Sequence, residues 1–151
     1  MTKKKSIVVS VDFDGTLVSN KFPEVGKEAP HASEVLKELI EAGKIKVILL
    51  TMRDNYHCSD PSMPGKLVVA KEGDSLTTTL EDAVQWCKDR GIELYGVNHN
   101  PGQYSWSRSP KVHSNLIIDD CCAGIPKVQM EDGSEVVDWL AMKEIIGNLV
   151  K

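Results

Sequence analysis

Apolar residues recur along this chain in two rhythms. Short, nearly unbroken apolar runs at 7–11, 44–50, 92–97 and 115–118 predict β-strands buried on both faces. Between them the spacing widens to steps of three and four. Val35, Leu36, Leu39 and Ile40 predict a helix over 30–42 that Gly43 stops; Leu80, Ala83, Val84 and Cys87 predict another over 78–90 that Gly91 stops. Thr78 and Glu81 have the spacing of a capping box for that second helix, and Trp86 falls on its flank as core or rim rather than as a ligand anchor. Residues 125–130 read as a short fifth strand, Glu131-Asp132-Gly133 as a turn, and 134–150 as a closing helix with Val137, Leu140, Ala141 and Ile145 inward.

Strand, helix, strand in succession predicts parallel pairing with right-handed crossovers. The expected fold is α/β: a three-layer, Rossmann-like arrangement with a mostly parallel sheet of about five strands and helices on both faces, in one domain over 1–151. Polar stretches interrupt the rhythm. Residues 18–29 read as a loop over the first strand's carboxyl end. Residues 54–75 carry Pro61, Pro64, Gly65 and Gly73 around a short apolar piece and read as an inserted loop or two-stranded flap, covering a site or forming an oligomer contact. In the loop at 98–109, Tyr104, Trp106 and Arg108 are candidates for substrate contact or for half-buried packing.

Composition excludes several classes. A formal charge of -4 gives no electrostatic footprint for wholesale nucleic-acid binding, and Lys3-Lys4-Lys5 reads as a solvated tail. No apolar run approaches the roughly 18 residues of a membrane span, and the lysine-rich start lacks a signal-peptide core, so the expectation is a cytoplasmic protein without a membrane partner. Cys58, Cys87, Cys121 and Cys122 show neither CxxC spacing nor disulfide-scaffold density and read as reduced thiols. A zinc cluster of Cys121, Cys122 and His57 or His113 is the weaker reading, because adjacent cysteines seldom chelate one ion well.

The first strand discharges into Asp12-Phe13-Asp14-Gly15-Thr16. In extended geometry Asp12 and Asp14 leave the same face about 6–7 Å apart, although a strand ending in a plain Asp/Gly turn has the same residues. The second strand discharges into Thr51 and the fourth into Asp119-Asp120. Ligands of parallel α/β sheets sit beyond the carboxyl ends of the strands, which puts Asp12, Asp14, Thr51, Asp119 and Asp120 on one rim. Two carboxylates about 4 Å apart repel by roughly 4 kcal/mol at an effective dielectric of about 20. Bringing Asp12, Asp14 and Asp120 together therefore calls for a cation or a shared proton. An all-oxygen set without histidine favours Mg²⁺ over Ca²⁺ or zinc, with waters and a substrate phosphate completing the shell.

These residues carry a resemblance. The chain resembles the haloacid dehalogenase superfamily of phosphotransferases: Val9-Ser10-Val11-Asp12-Phe13-Asp14-Gly15-Thr16 matches the first motif, Leu49-Leu50-Thr51 the second, Lys111 the third and Leu116-Ile117-Ile118-Asp119-Asp120 the fourth, in the right order. The resemblance implies a Mg²⁺-dependent phosphomonoester hydrolase. Asp12 would be the nucleophile that becomes an aspartyl-phosphate, and Asp14 the acid that protonates the leaving oxygen and then the base that activates water. Gly15, Thr51 and Lys111 would hold the phosphoryl group; Asp12, the Asp14 backbone carbonyl and Asp120 would ligate the metal, with Asp119 in support. Lys66, Lys71 and Arg108 are alternative sources of the positive charge. Thr51 as an ordinary strand-end threonine and Asp119-Asp120 as a turn are the plain structural alternatives.

The superfamily's small-metabolite enzymes carry cap domains after the first motif or before the third. Here only about fifteen and about a dozen residues stand at those points, too few to fold alone. The chain thus resembles the capless class, whose open sites take a phosphate on a macromolecule or gain a lid from a neighbouring subunit of a homo-oligomer. Two other functions compete. One is a nucleotide or polynucleotide-end phosphatase, the acidic balance arguing against tight binding to long nucleic acid; the other is a non-catalytic phosphate-binding or assembly module on the same fold.

Overall fold

The structure, a computed structural model, describes residues 5–151, so Lys3 and Lys4 of the basic tail lie outside the described residues. The elements in chain order are β1 (Ile7–Val11), α1 (Ala32–Glu41), β2 (Ile45–Leu49), β3 (His57–Ser59), β4 (Leu67–Val69), α2 (Thr79–Asp89), β5 (Leu94–Val97), β6 (Leu116–Ile118), β7 (Lys127–Gln129), β8 (Glu135–Val137) and α3 (Trp139–Leu149). Four of the strands form a parallel sheet in the order β5-β2-β1-β6. The chain is thus α/β with a mostly parallel sheet, compatible with a Rossmann-like fold. Its sheet has four strands rather than about five, because the short strand expected at 125–130 pairs antiparallel with β8 in a separate hairpin.

Register explains the layers. Val9 and Val11 pair with Val47, Leu49, Leu116 and Ile118, and alternation sends these side chains to one face. There they pack with Leu36, Leu39, Ala83, Cys87, Met142 and Ile146, so α1, α2 and α3 all join one core, with Phe13 set edge-on to Trp86 at 5.6 Å. Ser10, Ile48 and Ile117 point to the other face. The 98–115 segment, with a 3-10 turn at Gln103–Ser105, lies along it, Ser114 Oγ standing 2.9 Å from Ser10 Oγ and Ile117 left 41% exposed.

Two helix ends differ from expectation. Thr78 stands at the N-cap of α2, but its hydroxyl donates to the Asp82 carboxylate at 3.1 Å, so the capping box with Glu81 does not form. The closing helix begins only after Asp138, whose carboxylate accepts from the Ala141 N–H at 3.1 Å. Residues 135–137 are strand instead. The later start turns the inward face: Trp139, Met142 and Ile146 are buried, while Leu140 and Ile145 face solvent.

The 54–75 insertion carries the antiparallel pair β3–β4, with His57 opposite Val69. Its root is fixed to the start of α2: the Asn55 side chain accepts from Leu80 N at 3.1 Å, and Thr77 N donates to the His57 carbonyl at 2.7 Å.

Candidate functional site

The carboxyl rim of the sheet assembles from strand exits. β1 ends at Val11 and the chain turns at once, the N–H groups of Thr16, Leu17 and Val18 all reaching the Phe13 carbonyl. Gly15 takes φ +81° in this turn, and a Cβ there would lie 2.5 Å from Asp120 Oδ2. Only glycine combines that backbone angle with so close an approach. The bend also separates the two aspartates that extended geometry would have aimed together.

Asp12 meets the acidic pair that follows β6. Asp119, Asp120 and Cys121 present their ligand atoms within 4.8 Å of one another, and the charges of both aspartates bear on Asp12. Thr16, fully buried, ties them: its hydroxyl donates to Asp12 Oδ2 at 3.1 Å and accepts from the Asp120 N–H at 3.1 Å. Trp139 of α3 secures the same turn from behind, Nε1 donating to the Thr16 carbonyl at 2.8 Å. Burial, then the charge of Asp119, pushes the Asp12 carboxyl up to about 7, against hydrogen bonds from Phe13 N–H and Thr16. Asp120 is raised too, by burial and then by Asp119, while Lys127 opposes.

Asp14 does not join this cluster through its side chain. Arg53, two residues beyond Thr51 and 2% exposed, holds both of its oxygens, Nε to Oδ2 at 2.8 Å and Nη2 to Oδ1 at 2.7 Å. Thr51 stands at the exit of β2, its N–H donating to Asn98 Oδ1 at 2.8 Å and its hydroxyl oxygen accepting from Arg53 N–H at 3.1 Å. That leaves the Thr51 hydroxyl proton free for a ligand oxygen.

Lys111 is not brought to the carboxylates. It lies upstream of β6, exposed, with its carbonyl tied to Gln103 Nε2 at 2.8 Å, and no ion pair joins it to Asp12, Asp119 or Asp120 among the described residues. The positive charge acting on Asp120 is that of Lys127 on β7, itself paired with Glu135 at 3.4 Å. Lys66 and Lys71 stand in or beside the flap, and Arg108 lies over Tyr104.

Arg53 and Lys127 are the members that the sequence pattern leaves unmarked, and Thr16, though inside the first motif, has no role assigned there. Thr16 carries a signal in hindsight, since a hydroxyl four residues after a strand-end aspartate falls beside it across a tight turn. The cysteines are free thiols. Cys121 sits with Asp119 and Asp120, whereas His57 pairs with Asp54 and His113 packs against Trp106, so the residues of the zinc reading do not converge.

As a donor set, the Asp119 and Asp120 carboxylates fit a hard divalent cation: they lie, with the Cys121 thiol, within 4.8 Å of one another, and Asp12, joined to Asp120 through Thr16, carries the raised affinity for a proton that such a cation would replace.

Fold and rim together define an α/β protein with an acidic, oxygen-rich site at the carboxyl ends of its parallel strands. Its fold is similar to the solved structure of a conserved protein coded by a locus of Bacteroides thetaiotaomicron, with a TM-score of 0.66 and 28% identity over 97% of this chain and 93% of that one. No protein-family model and no curated protein matches the chain. No described helix is long and apolar enough to cross a membrane.

Proposed function

We propose that the chain is a Mg²⁺-dependent phosphomonoester hydrolase of haloacid dehalogenase type, acting through an aspartyl-phosphate on Asp12. The observation that carries this reading is the meeting of Asp12 and Asp120, far apart in the chain, at the single buried hydroxyl of Thr16. Burying such a pair against Asp119 is costly for a purely structural purpose and apt for holding a cation.

Asp12, Asp120 and Asp119 would hold the metal, which when bound supplies charge neutralisation for the incoming phosphate and keeps Asp12 ionised. The Asp12 carboxylate would attack phosphorus as the phosphorus–oxygen bond to the leaving group breaks, the leaving oxygen taking its proton from Asp14. The Thr51 hydroxyl donates to a phosphoryl oxygen. Arg53 fixes Asp14 in orientation, and the Asp14 carboxyl, protonated on a lone pair that Arg53 leaves open, would give that proton to the leaving oxygen and, as carboxylate, take one back from the water that cleaves the aspartyl-phosphate and releases phosphate. Lys111 is the lysine that the motif order assigns to the phosphate's charge, and Lys127 the one already acting on Asp120.

The test is phosphate release from p-nitrophenyl phosphate with and without Mg²⁺. Wild type should turn over only with the metal, and Asp12→Asn should be inactive with an unchanged circular dichroism spectrum. Turnover by Asp12→Asn refutes the nucleophile. Phosphate binding without release would instead assign a non-catalytic phosphate-binding module.

A further inference from the structure

Beyond β5 the chain changes character. From residue 94 to 118 there is no Asp or Glu, although the chain carries 22, and the same stretch holds Arg108, Lys111, Tyr104 and Trp106. Most of it is irregular, yet it is firmly held. Gln103, 6% exposed, donates to the carbonyls of Ser109 at 3.1 Å and Lys111 at 2.8 Å and accepts from His113 N at 2.8 Å. Asn100, also buried, donates to the His113 carbonyl at 2.9 Å and accepts from Gly102 N at 3.0 Å. Two buried amides thus set the loop's shape before anything binds, which lowers the entropy cost of binding.

On that frame Tyr104 and Trp106 stand 56% and 63% exposed. Each is braced by a histidine: His99 lies 6.3 Å from the Tyr104 ring and His113 5.3 Å from the Trp106 ring, while the Arg108 guanidinium is 5.8 Å from the Tyr104 centroid. The loop is rooted at the site. Asn98 takes φ +54°, and its side chain accepts from Thr51 N at 2.8 Å. Asn98, His99, Tyr104 and Pro110 line one cavity. Neighbouring strands are about 4.8 Å apart, so the exit of β5 lies about 10 Å from that of β1, a span that a sugar and its base can bridge.

We propose that this loop is a nucleobase platform and that the substrate is a nucleobase-bearing phosphomonoester, its base stacked at Tyr104 and Arg108 and its phosphate at Asp12 and Thr51. The inference rests on the phosphatase reading. Rings and a guanidinium without acidic neighbours recognise the π-face of any base beside a phosphate, and Trp106 offers a second ring to an adjoining nucleotide.

The experiment compares phosphate release from 5′-AMP, ribose 5-phosphate and 5′-phosphorylated triadenylate. Binding of each to Asp12→Asn is followed by tryptophan fluorescence, for which Trp106 is the exposed reporter, Trp86 and Trp139 being buried. kcat/KM for 5′-AMP should exceed that for ribose 5-phosphate by about tenfold, the scale of one stacked base. Tyr104→Ala and Arg108→Ala should bring that ratio towards one, and Tyr104→Phe should keep it. A further gain with the triadenylate assigns a polynucleotide end, and no gain assigns a free nucleotide. Equal turnover and equal binding of 5′-AMP and ribose 5-phosphate overturn the platform. If no substrate is hydrolysed but Asp12→Asn binds 5′-AMP more tightly than ribose 5-phosphate through Tyr104, the platform stands and the phosphatase reading falls.

Discussion

Arg53 grips both oxygens of Asp14 with the Nε–Nη2 edge of its guanidinium, at 2.8 and 2.7 Å. Its remaining N–H groups go to the carbonyls of Pro23, Glu24 and Thr79, so all five donors are used. Phe13 and Phe22 lie 5.0 and 5.2 Å from the guanidinium carbon. One side chain therefore joins the exit of β1, the loop after it and the start of α2 around a single carboxylate.

Lysine cannot reproduce that fork. Arg53→Ala, which strands a mostly buried carboxylate, should cost roughly 3–5 kcal/mol of unfolding free energy. Arg53→Lys should recover part of that stability and little of the activity, because Asp14 loses its fixed orientation. Urea unfolding read beside kcat separates the two effects; full activity in Arg53→Lys would remove Arg53 from the positioning of Asp14.

The Asp12 carboxyl, raised from 3.8 to about 7, makes the metal-free protein sensitive to pH in a definite direction. The folded state binds the extra proton, so Asp12's contribution to stability declines as pH rises from about 4 to about 7 and is level beyond. Asp54, Asp60, Asp74 and Asp132 are shifted the other way, downward through their hydrogen bonds, so their linkage acts below that window. In EDTA the urea midpoint should fall between pH 5 and pH 8, Mg²⁺ should restore it at pH 8, and Asp12→Asn should flatten the slope. A midpoint that rises with pH in wild type and variant alike would sink this account.

Gly15→Ala places a methyl group against Asp120 Oδ2 in a backbone conformation that alanine adopts at a cost of roughly 1–2 kcal/mol. Gly133 has a similar angle, φ +85°, with nothing within 4 Å of its would-be Cβ. Gly133→Ala should therefore lose the backbone cost alone, while Gly15→Ala loses more stability and also activity, by about a hundredfold, since it displaces a carboxylate from the site. Equal activities would show that the close approach has no functional content.

The convergence of Asp12 with Asp119 and Asp120 was legible because it follows from strand exits in a parallel sheet, a rule that needs only the positions of the apolar runs. Arg53 was not. An arginine just past a strand reads as surface, and its burial depends on partners at 14, 23, 24 and 79 that no local pattern connects. The closing helix failed for a local reason. Val136 and Val137 continue the apolar run into Trp139, which hides the helix start at Asp138, and each residue of offset turns the inward face by about 100°. The same limit applies to Lys127: it reaches Asp120 only because β7 folds back in a hairpin, whereas Lys111, nearer in sequence to β6, is drawn along the sheet's other face by Gln103.

Lys127 and Glu135 give a test of Asp120 as a metal ligand from outside the site. Their ion pair, 3.4 Å long, is partly exposed, so the charge of Lys127 on Asp120 is partly offset by Glu135. A positive charge beside a metal ligand opposes the binding of a cation. Lys127→Met should therefore tighten Mg²⁺ binding, and Glu135→Gln, which leaves Lys127 uncompensated, should weaken it, each by about two- to fivefold, the scale of an exposed charge pair. Raising the salt to about 0.5 M should shrink both shifts, because the ionic atmosphere screens the lysine. Calorimetric titration with Mg²⁺ measures them directly, and shifts of the same sign, or none in low salt, would take Asp120 out of the metal's coordination.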